Sequence, residues 1–171
     1  MIVRLTSLVL TVVLLSCSDD AGSGIPTTNN PTLPTGLTNS LRVQGAGYSN
    51  ATFRGFTADS ATIAQDDGDG ALLGFSGLTP TNVVFSVAID LPDRRTGSFS
   101  LGTSQATSLS MQIGTVSYVA VDGTVEVLTW SPVIGQNVTG VFSATMTPFP
   151  GPGDPISVSA GQFTIKRSLA R

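Results

Sequence analysis

The run "NVVFSVAID" at 82–90 alternates apolar and polar positions with a period of two. Val83, Phe85, Val87 and Ile89 share one face. Asn82, Ser86, Ala88 and Asp90 take the other, together with Val84. The run "NVTGVFSATMT" behaves alike: Val138, Phe142, Ala144 and Met146 fall on one side, and Thr139, Ser143, Thr145 and Thr147 on the other, with Val141 breaking the second pattern. The same test predicts strands near 41–46, 51–57, 60–65, 70–76, 97–101, 107–113, 115–121, 123–131 and 156–166. From Leu41 onward no stretch carries helical periodicity. "DDGDG" at 66–70 reads as a hairpin turn, and Asp122-Gly123 as a type I′ turn between two apolar runs. Gly161 falls where the apolar positions shift from Ile156 and Val158 to Phe163 and Ile165, which predicts a bulge. "PFPGPGDP" at 148–155 reads as an extended loop. The pattern predicts an all-β domain, a two-layer antiparallel β-sandwich of about ten short strands, with a closed or partly closed β-barrel as the alternative. The polar faces are rich in Ser and Thr, which disfavours a membrane-spanning barrel with its apolar outer band.

Ahead of this domain the pattern changes. Arg4 precedes an apolar run from Leu5 to Leu15, which is long enough for a signal segment and too short for a permanent membrane span. "Leu14-Leu15-Ser16-Cys17" follows and resembles the lipobox of bacterial lipoproteins. The resemblance implies cleavage between Ser16 and Cys17 and acylation of the Cys17 thiol. Cys17 is the sole cysteine, so it has no partner for an internal disulfide. Ser18, rather than an aspartate, comes directly after it, and Asp19-Asp20 follow. This order is similar to lipoproteins sent to the outer membrane or cell surface. Residues 18–38 lack hydrophobic periodicity and carry Pro26, Pro31 and Pro34, so they read as a tether. The expected organisation is a signal peptide at 1–16, a lipidated cysteine and flexible linker at 17–38, and an all-β domain at 39–171.

Composition narrows the function. Charged residues make up 11% of the chain and hydrophobic ones 40%, which separates this low charge from that of a disordered chain. The net charge is −3 and no basic run exists, so no nucleic-acid partner is expected. Histidine is absent, which excludes Ser-His-Asp hydrolysis, Cys-His chemistry and histidine-held metals. "GAGYSNA" at 45–51 has the glycines of a phosphate loop without its lysine or a helix after it.

Three candidate chemistries remain. Glu126, the sole glutamate, could pair with Asp90, Asp122 or Asp59 for glycoside hydrolysis, although its strand face reads as solvated. Asp67, Asp69 and Gly70 resemble a fragment of a calcium loop. The third oxygen ligand and the distal glutamate are missing, so no metal site and no cofactor are expected. Trp130 shares a strand face with Glu126 and Leu128, opposite Val125 and Val127, and is either packed or a stacking platform for a ligand. Tyr48, in a glycine-rich loop, is the other candidate for stacking, and Tyr118 reads as packed.

"GSFSLG" (97–102), "GTVEVLTW" (123–130), "VTGVFSATM" (138–146) and "ISVSAGQFTIK" (156–166) occur in that order. The order resembles small bacterial lipoproteins of unknown function, of the Bacteroidetes type, with a lipobox followed by one all-β domain. The likeness covers about 41–167. That pattern carries no assigned catalytic residues, so none is transferred. The expected protein is a lipid-anchored, non-enzymatic binding or structural module of the cell envelope. A glycan-binding module and a carboxylate glycosidase are the alternatives. Its partners would be the membrane, through the anchor, and a glycan or envelope protein.

Overall fold

A computed structural model describes residues 38–168. The expected signal segment, Ser16, Cys17 and the tether up to residue 37 lie outside the described residues. Apart from the short 3-10 turn Asp59–Ala61, every regular element described is a strand: β1 Ser40–Gly45, β2 Tyr48–Gly55, β3 Thr62–Asp67, β4 Gly70–Leu78, β5 Val84–Leu91, β6 Gly97–Gly102, β7 Ser108–Ile113, β8 Val116–Thr129, β9 Asn137–Pro148 and β10 Ile156–Lys166. The alternations seen in sequence are the burial pattern of these strands. Phe85, Val87, Ile89 and Leu91 are buried along β5, as are Val138, Phe142, Ala144 and Met146 along β9. Val83 is the exception. It sits in the turn before β5, whose first residue is Val84, and is 38% exposed.

All pairings between strands are antiparallel. The sheet runs β2-β1-β10-β9-β8-β7-β5-β4, and β4 pairs back with β2. It is therefore a closed eight-stranded barrel, the alternative of the two expected architectures. Neighbours around the wall follow chain order, and β1 and β10 close the circuit. Two wall positions hold two strands laid end to end. β2 pairs the last residues of β4, at Arg54↔Leu78 and Gly55↔Gly77, and β3 pairs the rest from Phe75 to Gly70. Likewise β7 pairs the first part of β8, and β6 the second.

The sheet closes instead of splitting into two layers because its strands are long and bent. β8, β9 and β10 have 14, 12 and 11 residues. The two predicted strands 115–121 and 123–131 are one strand, β8, so Asp122-Gly123 is not a hairpin turn. The register shifts there, between Ala120 and Asp122, and Gly123 has φ +139°. The Asp122 carboxylate accepts the Gly123 N–H at 2.8 Å. An Asp-Gly pair supplies positive φ to a bulge as readily as to a turn, and a bulge increases strand bend. The predicted bulge near Gly161 is present: the β10–β9 register shifts between Val158 and Gly161, and Ala160 takes φ +49°.

Phenylalanine rings occupy the interior. Successive contacts run Phe53–Phe85 at 5.2 Å, Phe85–Phe75 at 6.1 Å, Phe75–Phe142 at 6.4 Å and Phe142–Phe163 at 6.5 Å. Two reciprocal cross-strand pairs make room for them. Phe142 lies opposite Gly161, and Phe163 opposite Gly140. A Cβ on Gly161 would lie 2.7 Å from the Phe142 ring, and one on Gly140 would lie 2.3 Å from the Phe163 ring. The outer wall alternates with this core and carries exposed Arg42, Gln44, Ser108, Ser110, Gln112, Ser143, Thr145, Ser157 and Ser159. An apolar interior inside a polar wall is the reverse of a membrane-spanning barrel.

Candidate functional site

The two stacking candidates lie at opposite ends of the barrel. Tyr48 opens β2 at the turn after β1. That end continues through Gly45, Ile156, Met146 and Ala120 by direct pairing across β1, β10, β9 and β8, with Tyr118 two residues before Ala120. Trp130 follows the far end of β8. Neither ring stands free. Tyr48 is half-buried and packs edge-on against Phe53 at 5.1 Å. Trp130 is half-buried beneath the Arg167 guanidinium, 5.5 Å from its centroid. Tyr118 is buried, as its mid-strand position implied. Burial, then the neighbouring Tyr48 and Asp154, push its phenol pKa above the ordinary value.

The carboxylates named for glycoside hydrolysis do not converge. Glu126 faces outward into a shallow open groove of about 300 Å³. Its walls are the outward side chains of Ser98 on β6, Thr124 on β8, Ser143 on β9 and Gln162 on β10, and it opens where the β10 bulge lifts Ala160. Glu126 is the only carboxylate among the described residues lining it. Asp122 lies four residues along the same strand, about 13 Å away at strand rise, beyond the spacing of either hydrolytic geometry. Asp90 sits on β5, two wall positions around, which is about 10 Å by lateral spacing alone. Asp59 is bound to Lys166 at 3.0 Å. Burial and Asp67 raise the Asp90 pKa above the ordinary carboxylate value.

The acidic turn is built into an ion-pair cluster. Asp66, 15% exposed, meets Arg94 Nη1 at 3.0 Å through one oxygen and Arg167 Nη2 through the other. Arg94 Nε donates to the Asp69 carbonyl at 3.3 Å. Arg167 also donates from Nη1 to the Ser131 carbonyl at 3.1 Å, and its backbone exchanges hydrogen bonds with Gly135 and Gln136. Ser168 N donates to the Ala64 carbonyl at 2.9 Å. The cluster thus fastens the segment after β10 to β3 and to the β8–β9 loop. Asp66 spends both oxygens on arginines, which leaves the turn short of the oxygen cage calcium requires. No local sequence signal marks this cluster, because Asp66 and Arg167 are 101 residues apart.

Asn39 was equally silent in sequence. It is 2% exposed, accepts the Thr164 N–H at 2.8 Å and donates to the Phe56 carbonyl at 2.9 Å. It fixes the point where the chain enters the barrel, next to β10 and the end of β2. No family profile matches the chain, and no curated protein or solved structure matches it.

Proposed function

We propose that this chain is a lipid-anchored protein of the bacterial envelope whose barrel is a non-enzymatic binding or structural module. The observation that carries the reading is Cys17, the sole cysteine, placed directly after Leu14-Leu15-Ser16 at the end of the apolar run. The order of the strand motifs, similar to that of small Bacteroidetes-type lipoproteins, supports it. The polar outer wall supports it too, because membrane attachment then falls to an anchor and not to the barrel. The dispersed carboxylates support a non-enzymatic role. The glycan reading gains nothing from Tyr48 and Trp130, which cannot line one groove from opposite ends.

The test is growth of producing cells with a labelled fatty acid. The wild-type chain should carry label and sediment with membranes, whereas Cys17→Ala should lose the label and the processing. Equal labelling of both chains would sink the proposal.

A further inference from the structure

We infer that the barrel end nearer the point where the chain enters rests against the lipid surface that holds Cys17, through the tip of the β8–β9 loop. This inference rests on the anchoring proposed above. The tip carries Val133 and Ile134, 57% and 52% exposed. Both are held in place instead of folding back. Gln136 N donates to the Val133 carbonyl at 3.2 Å, Gly135 N to the Arg167 carbonyl at 2.9 Å, and Arg167 N to the Gln136 carbonyl at 2.8 Å. An apolar pair on a loop ordered by its own backbone loses little entropy when it meets a surface.

The position of the entering chain selects the occupant. Asn39 is bonded to Thr164, and the loop is bonded to Arg167. Three residues of extended strand separate these points, about 10 Å. Phe56, whose carbonyl is bonded to Asn39, is a further exposed ring beside the same point, at 42%. About twenty residues join Cys17 to Asn39, with a typical reach of roughly 25 Å if coil-like. A tether of that length keeps this end close to the membrane at a high effective concentration, so a weak apolar contact suffices. Exposed Val84 and Phe149 lie at the other end of the barrel and serve as the control.

Trp130 is the only tryptophan and stands at the base of this loop, so it reports on the contact without labelling. The lipidated full-length chain would be reconstituted into phosphatidylcholine vesicles, with and without brominated acyl chains. Brominated lipid should quench Trp130 emission. Val133→Asp with Ile134→Asp should abolish the quenching while the protein still cosediments with vesicles and keeps its strand circular dichroism. Phe149→Asp should leave the quenching unchanged. Cosedimentation without quenching, or quenching that survives the loop variant, would overturn the inference and leave the anchor standing. A chain that fails to cosediment would overturn both.

Discussion

Arg167 is 6% exposed, and a guanidinium so placed must be neutralised where it stands. Asp66 supplies the charge, Ser131 a carbonyl, and Trp130 a ring face. Removing Asp66 strands the buried Arg167, so Asp66→Leu should cost about 3–5 kcal/mol, as for a broken buried pair, whereas Arg167→Ala leaves Asp66 its pair with Arg94 and should cost less. Replacing both partners, as Asp66→Leu with Arg167→Met, should cost much less than the sum of the single changes. Urea midpoints of the three variants check this. Asp90 gives a smaller effect of opposite sense. Its raised pKa means the folded chain holds that proton more tightly than the unfolded chain does. Stability is therefore lost as pH rises through the window from the ordinary Asp value up to the folded one. Asp90→Asn should raise the melting temperature at neutral pH, and the gain should vanish below that window. Ala160 holds φ +49° at an exposed bulge. Asparagine tolerates that conformation better, so Ala160→Asn should stabilise by about 0.5 kcal/mol.

Among the elements, β8 to β10 set the curvature of the barrel, and their glycines are the parts least open to change. A Cβ on Gly123 would lie 2.2 Å from the Ser143 carbonyl oxygen, and one on Gly140 would meet both a ring and the Glu126 carbonyl oxygen. Gly140→Ala and Gly123→Ala should each destabilise by several kcal/mol, at the upper end of single substitutions, because backbone cannot step aside as a side chain can. A thermal melt decides it, and a loss under 1 kcal/mol would contradict the packing described. These strands were legible in sequence because one face of each is buried, which imposes period two. β10 was read to its exact limits, Ile156–Lys166, and its bulge was read from the shift in apolar phase. Asp122-Gly123 misled because the local conformation it supplies fits both a turn and a bulge. What decides between them is the neighbouring β9, whose backbone presses on Gly123 from outside the local window. Closure rests on Gly55↔Gly77 and on β1 against β10, pairings between residues far apart in sequence. Asp66–Arg167 and Asn39–Thr164 are contacts of the same kind, which is why the candidate site was less legible than the strands.

At the scale of the whole molecule, the ring-filled interior and hydroxyl-rich wall describe a closed barrel with its apolar side chains turned inward. The rings run in a series through the barrel's core. Phe85, 1% exposed and touching both Phe53 and Phe75, is a fully buried link in that series, so Phe85→Ala should cost about 3–5 kcal/mol. The function proposed for the molecule depends on one atom, the Cys17 sulfur. Intact-mass spectrometry of the mature protein, purified from bacterial membranes with mild detergent, reads its state directly. The account predicts a chain that starts at Cys17 and is heavier than its sequence by two or three acyl chains. A mature chain with an unmodified Cys17 thiol, or one that retains residues 1–16, would contradict it.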